Sequence, residues 1–348
     1  MKTRTRILSS LGLLLAGAVE EGFAQGSLTP PAGTPAPAMR TLLQVEPRTP
    51  IAALPFTISA PGSYYLTTNL TTTGDGISIN SDGVTLDLMG FTLSGNNSGG
   101  YYGVALGAGG TPVNNGVVRN GAIRNFGEGL YASACQSFRV EQITIYSNKN
   151  SGINLSGSSS KVCANNVIRD CMITGNGYCG VYLCGNVGVC RGNTLADCMV
   201  VSNSSAGINL FGQNGGACNG NTIRNCTIND NAYYGIYLTA SGAGGQCEGN
   251  LLADCTLSRN AMRGIWLSGV YGNRVEGNHL YGQLGANSYG IESSGGSRSL
   301  IFRNTCVGQT NNFSLSSSDT YGPIVTASGA LSTTNGAAGL SPWANFSR

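Results

Sequence analysis

Short parallel strands wound into an all-β solenoid are the architecture this sequence predicts. A nine-residue phrase recurs four times, as Cys163–Cys171, Cys190–Cys198, Cys218–Cys226 and Cys247–Cys255, at steps of 27, 28 and 29 residues. A fixed period of this size marks a solenoid, in which each repeat buries its apolar face only against its neighbours. Each copy is followed by Gly-(Ile/Val)-x-Leu, as in Gly180–Leu183, Gly207–Leu210, Gly235–Leu238 and Gly264–Leu267. Glycine, asparagine and β-branched residues crowd every copy, so strands joined by turns fit and helices do not. Residues one period apart then stack about 4.8 Å apart in parallel strands. Leucine-rich repeats are the main solenoid rival, but their Leu-x-x-Leu-x-Leu pattern is missing.

The chain opens with a basic stretch, Met1–Arg6, an apolar run, Ile7–Val19, and small residues at Gly22–Ala24. Residues 1–24 read as a secretory signal peptide, the apolar run being too short for a membrane span. Without them 16 basic residues face 14 acidic ones, a net of +2 that does not suggest a nucleic-acid partner. No later run reaches membrane length. Residues 25–55 combine a Pro/Ala spacer, Leu28–Ala38, with an N-terminal cap; Met39–Val45 has room for one or two helical turns before Pro47 ends them. Strands are expected at Phe56–Ser59 and Ser63–Leu70, turned at Pro61-Gly62 and shielding the open edge of the first rung.

The solenoid is expected over residues 56–312. Its Gly-apolar mark begins at Gly76-Ile77, continues at Gly103-Val104, Gly129-Leu130 and Gly152-Ile153, and recurs after the four copies at Gly290-Ile291. That gives about nine rungs, with a partial one at Leu300–Asn304. Asn125, Asn148, Asn176, Asn203, Asn231 and Asn260 each stand four residues before a rung's glycine. Asparagine at a bend tolerates the left-handed conformation, and its amide can bond its own turn or the next rung's asparagine. Residues 313–348 lose the repeat and read as a C-terminal cap, with Trp343 and Phe346 over the last rung.

The repeats resemble those of the right-handed parallel β-helix, the pectate-lyase-like superfold. The flanking segments Val45–Ile51, Phe56–Leu66, Val84–Leu93 and the ending Pro342–Phe346 are more specific. They are similar to a family of exported bacterial right-handed β-helix repeat proteins without a settled activity. The resemblance covers nearly the whole chain after the signal segment. It implies a single-stranded right-handed parallel β-helix of roughly nine to ten rungs with a cap at each end, and it carries no catalytic motif.

Twelve cysteines are present, and eight form two columns, Cys163/190/218/247 and Cys171/198/226/255. Export makes disulfides chemically possible, and a rung's spacing lies within bridging range, but stacked side chains point the same way. Buried thiols packing as apolar groups and bridges across rungs or loops, Cys184 with Cys190 foremost, both remain open. The period is not the Cys-x-x-Cys clustering of zinc sites.

Three groups are candidates for chemistry. Asp170, Asp197 and Asp254 share a column with Asn225, preceded by Arg169, Ala196, Arg224 and Ala253. Stacked carboxylates could hold a hard cation such as Ca²⁺, with arginine neutralising a uronate or taking its proton, as a polysaccharide lyase requires. The structural alternative is that Asp and Asn simply favour a bend and pair with arginine across rungs. The sole histidine, His279, has no acid beside it, and the acid pair of a glycoside hydrolase is not evident. The third group is the x of Gly-Ile-x-Leu: Tyr131, Asn154, Tyr182, Asn209, Tyr237, Trp266 and Glu292. Between inward Ile and Leu this position faces out, so aromatics and amides line one ribbon, with Tyr178, Tyr233 and Tyr234 on the nearby bend. Sugar faces pack on rings while amides bond hydroxyls; the alternative is that aromatics merely stabilise an exposed β surface.

The expectation is therefore an exported, secreted or periplasmic protein that binds a polysaccharide or cell-surface partner, or serves as a rigid module. The alternatives are a lyase acting on an acidic glycan and a purely structural envelope protein.

Overall fold

A computed structural model describes residues 46–107, 110–295, 298–326 and 341–348. The signal segment, the Pro/Ala spacer and the turns expected at Met39–Val45 lie outside them. Residues Pro47–Arg348 form one unit built of parallel strands. Eleven strands stack into one sheet, twenty-two into a wide bent sheet, and five into a short third sheet between them. One turn of chain shows how. Ile153–Ser158 lies in the eleven-stranded sheet, Val162–Ala164 in the third sheet, and Val167–Arg169 and Met172–Thr174 in the wide sheet. The chain then bends back to Val181–Asn186, paired in parallel with Ile153–Ser158 one turn later. The architecture is a parallel β-helix without an α-helix among the described residues.

The repeat dictates its own packing. In each Gly-Ile-x-Leu the two aliphatics point inward and are fully or almost fully buried, from Ile153 and Leu155 to Ile265 and Leu267. The glycine is there for room: at Gly207 a Cβ would meet the Gly235 carbonyl at 2.9 Å, Ile228 at 2.6 Å and the Asn231 amide at 2.8 Å. Nine strands of the eleven-stranded sheet carry the glycine mark; Phe56–Ile58 and Asn311–Ser314 add one at each end.

Asparagine ladders hold the corners. Asn148, Asn176, Asn203, Asn231 and Asn260 are buried, and each Nδ2–H donates to the next rung's side-chain oxygen at 2.9–3.0 Å up to Asn260. Gln283 ends the series by accepting from the Asn260 N–H. A second ladder, Asn166, Asn193, Asn221, Asn250 and Asn273, runs beside the cysteine column of the third sheet. Asn125 departs from expectation: the rung is one residue shorter there, Phe126 takes the ladder position, and Asn125 turns left-handed at φ 59°. The ladder asparagines are not themselves left-handed; the residue before each one is, as at Ser147, Gly175, Ser202, Asp230 and Arg259.

Parallel strands extend beyond both expected edges of the solenoid. Thr49–Ile51 pairs with Gly62–Leu66 inside the wide sheet, so the N-terminal segment is itself a rung. At the other end Asn345–Ser347 pairs with Thr305–Val307 and Ile324–Thr326. Phe346 thus lies within a strand, while Trp343 is 55% exposed and meets Phe302 edge to face. All twelve cysteines are buried free thiols, Cys184 and Cys190 included. Cys163, Cys190 and Cys218 stand in register, with Cys135 below, its Sγ 3.3 Å from that of Cys163.

Candidate functional site

The outward column of the eleven-stranded sheet is in register from rung to rung: Tyr131, Asn154, Tyr182, Asn209, Tyr237, Trp266 and Glu292 pair successively. How the rings stand was not readable from the pattern. Tyr237 and Trp266 stack at 4.5 Å and 13°, close to the rise of one rung. Tyr102 and Tyr131 do the same at 4.5 Å and 12°. Two rings stacked at the rung spacing have their planes across the solenoid axis, so their faces cover each other and their rims meet solvent. The ribbon of outward aromatics and amides therefore offers ring rims along most of its length. A ring face is open only where a stack stops.

It stops at the asparagines. Next to Tyr237 the short Asn209 side chain leaves a slot of about 270 Å³, lined by Tyr178, Asn209, Phe211, Tyr237, Thr239 and Ser241. Phe211 and Tyr178 lie against Tyr182, at 6.5 and 5.9 Å between ring centroids, and Tyr237 stands one rung beyond Asn209. Two rungs separate Tyr182 from Tyr237, about 9.6 Å, enough for one further ring between them. The Asn209 amide is buried, and its Oδ1 has no hydrogen-bond partner. Asn154, two rungs away, has the same unpartnered Oδ1. A donor that reached such an oxygen would supply a bond the folded chain leaves unmade.

Beside the ribbon runs a second column, the residue before each rung's glycine, which the sequence reading passed over. Tyr102 pairs with Glu128, and Tyr234, Arg263, Tyr289 and Asn311 follow one another in register. Glu128 reaches across to the next rung, accepting from the Ser151 N–H at 2.9 Å and the Asn154 Nδ2–H at 3.3 Å. Burial pushes its carboxyl up to about 7, outweighing those two bonds. Burial, then the Glu128 charge, raises Tyr102, and burial raises Tyr131 and Tyr182, so the tyrosines stay neutral hydroxyls. Cys179, in the same column, is pushed by burial up to about 12 and is no nucleophile at neutral pH.

Arg263 sits among aromatic faces, 4.3 Å from Trp266, 5.3 Å from Tyr289 and 5.7 Å from Tyr234. Its guanidinium pairs with Glu292, and both side chains are only 16% exposed.

The carboxylate column lies elsewhere, on the wide sheet. Asp170, Asp197, Asn225 and Asp254 all occupy left-handed bends, with φ between 53° and 56°. Arg169 is held by Glu141 at 2.7 Å and lies 3.8 Å from Asp170; Asp197 accepts from Asn225 at 3.2 Å. Arg224 lies in register with Ala196 and Ala253 and has no acid on either side in its column. His279 is exposed beside Tyr281. Among the described residues no three His, Cys, Asp or Glu side chains converge as a metal-binding set.

Comparison with known proteins matches this architecture. A family model described as "Right handed beta helix region" matches residues 65–217, and one described as "Periplasmic copper-binding protein (NosD)" matches residues 175–323. No curated protein sequence matches the chain. Among solved structures, the Dettilon tailspike protein is 16% identical with a TM-score of 0.58, covering 86% of this chain. The chain spans 61% of that tailspike's length. An alginate lyase from a Paenibacillus species is 13% identical at TM-score 0.59, covering 79% of this chain and 99% of the lyase. The A-module of an Azotobacter vinelandii mannuronan C-5 epimerase is 17% identical at TM-score 0.55, covering 79% and 89%. The chain is thus a right-handed parallel β-helix, and identities this low speak for the fold alone. Among the described residues no helix is long and apolar enough to cross a membrane. Among the described residues imidazole and thiols do not assemble a copper site. Imidazole is limited to His279, and the column thiols lie in the core, where Cys171, Cys198 and Cys226 donate to main-chain carbonyls at 3.1–3.2 Å.

Proposed function

We propose that this protein is an exported polysaccharide-binding β-helix whose ligand lies on the eleven-stranded sheet. The observation that carries the reading is the slot at Asn209, with aromatic walls and an amide in its lining whose oxygen has no partner. Aromatic rings offer the apolar faces of a sugar their area, and amides answer its hydroxyls. The stacking of Tyr237 on Trp266 means a sugar enters edge-first, between rungs. The apolar run after Met1–Arg6, the periplasmic description of one matching family and the polysaccharide enzymes among the structural neighbours support the reading. Its test is retention of the protein, without residues 1–24, on insoluble cell-wall glycans. Tyr237→Ala should lose retention while Asp197→Asn keeps it; equal retention of both variants would remove the slot from the reading.

A second reading, catalysis, is favoured by Glu128, whose carboxyl near 7 suits a proton carrier at neutral pH. Under it the protein would be a lyase cutting an acidic glycan, with Ca²⁺ entering only if the Asp170, Asp197 and Asp254 column binds it. Absorbance from unsaturated uronate ends, abolished in Glu128→Ala, would support it; a flat trace with and without calcium would end it.

A further inference from the structure

We infer that the glycan this sheet binds is neutral, with hydroxyl or acetamido groups as its polar handles, and is not a polyuronate. The inference rests on the binding reading above and sharpens it to a ligand class. A polyuronate carries one carboxylate per sugar, and binding it on a protein surface needs cations free to meet those charges. The slot's lining, Tyr178, Asn209, Phe211, Tyr237, Thr239 and Ser241, contains none. Among the described residues of the x column and the column before the glycines, Arg263 is the one cation; the lysines Lys149 and Lys161 stand off these columns, on the bends before and after Ile153–Ser158. Arg263 is already neutralised by Glu292 and enclosed by Tyr234, Trp266 and Tyr289. Anions, by contrast, are present: Glu128 lies beside Asn154, and Asp75 accepts the Tyr102 N–H at 3.0 Å. A uronate at the slot would meet no cation, and further along the columns only a spent ion pair.

What the sheet does offer suits an uncharged ring. The Oδ1 atoms of Asn154 and Asn209 are acceptors in need of donors, which hydroxyls and N-acetyl amides supply; a uronate has hydroxyls as well, but its carboxylate finds no cationic donor here to answer it. The arginines of this protein are concentrated on the wide sheet, where Arg119, Arg169, Arg274 and Arg303 pair with Asp87, Glu141 and Glu276. The structural neighbours include alginate enzymes, so the inference separates this chain from them by ligand charge.

Affinity electrophoresis tests it. The mature protein would be run through gels containing glucomannan or hydroxyethyl cellulose, and through gels containing alginate or polygalacturonate. The expected result is retardation in a neutral gel at least about fivefold stronger than in either acidic gel. It should hardly change when salt shortens the screening length from about 30 to 8 Å, and it should be lost in Tyr237→Ala at unchanged thermal stability. Retardation confined to the acidic gels and abolished by salt would overturn the neutral-ligand inference while leaving glycan binding standing. Retardation in no gel would overturn both.

Discussion

Two faces of this solenoid carry polar columns of the same period, and they end in opposite states. On the wide sheet and its bends, five arginines are met by carboxylates. Arg119 meets Asp87, Arg169 meets Glu141, Arg259 meets Asp230, and Glu276 accepts from both Arg274 and Arg303. On the eleven-stranded sheet, aromatic stacks alternate with asparagines whose Oδ1 atoms have no partner, and a carboxyl is held near 7. Exposed ion pairs close a surface at little gain in stability, whereas unpartnered buried acceptors cost free energy until something binds them. Of two equally periodic columns, the one left unsatisfied is the candidate for recognition.

The largest expected effect comes from breaking the corner that joins the two faces. Asn203 receives two bonds from Asn176 and gives two, to Asn231 and the Ile173 carbonyl. Asn203→Leu keeps the branching at Cγ but strands those partners, so denaturant titration should show a loss of about 2–4 kcal/mol. Both faces should loosen together.

Binding separates the faces more sharply. Tyr237→Ala opens the slot and ends its stack on Trp266, and should weaken glycan binding about tenfold or more. The same titration of Asp197→Asn should match the wild type; a loss there as large as in Tyr237→Ala would reverse the assignment of faces.

Glu128 gives a pH signature opposite in sign to that of Glu276 on the wide sheet, whose carboxyl is lowered. The folded Glu128 carboxyl titrates near 7, above the ordinary 4.5, so between these values the folded state holds more protons than the unfolded one. Stability is therefore fully present below about 4.5 and falls as pH rises through 7, by about 3 kcal/mol. Glu128→Gln should abolish that slope and be the more stable protein at pH 8, because no charge is then buried at this position. Urea melts across that range read both slopes; parallel slopes would show that the carboxyl titrates elsewhere.

The smallest effect is expected at the carboxylate column. Asp197→Asn should change stability by less than about 0.5 kcal/mol, since Asn225 already holds the equivalent left-handed bend. Added calcium should not raise the melting temperature unless the column binds it.

Much of the fold was legible because parallel pairing turns a sequence offset into a column. The glycine mark located nine strands, and the aliphatics of Gly-Ile-x-Leu named the core. Where one residue is missing the offset misleads: counting back from Gly129 selects Asn125, while the rung places Phe126 on the ladder. The site was legible only in part. The x column was named from its spacing, but Glu128 and Arg263 went unnoticed, although their shared position before the glycine was a signal as regular as the x column.

By itself, then, the sequence determined the period, the inward and outward sets and the two cysteine columns, because main-chain pairing at a fixed rise leaves those no freedom. The direction of the ring planes, the slot at Asn209, the partnering of each arginine and the raised carboxyl of Glu128 came from tertiary structure. Each depends on rotamers chosen against side chains a full turn away, and on burial that no single rung provides.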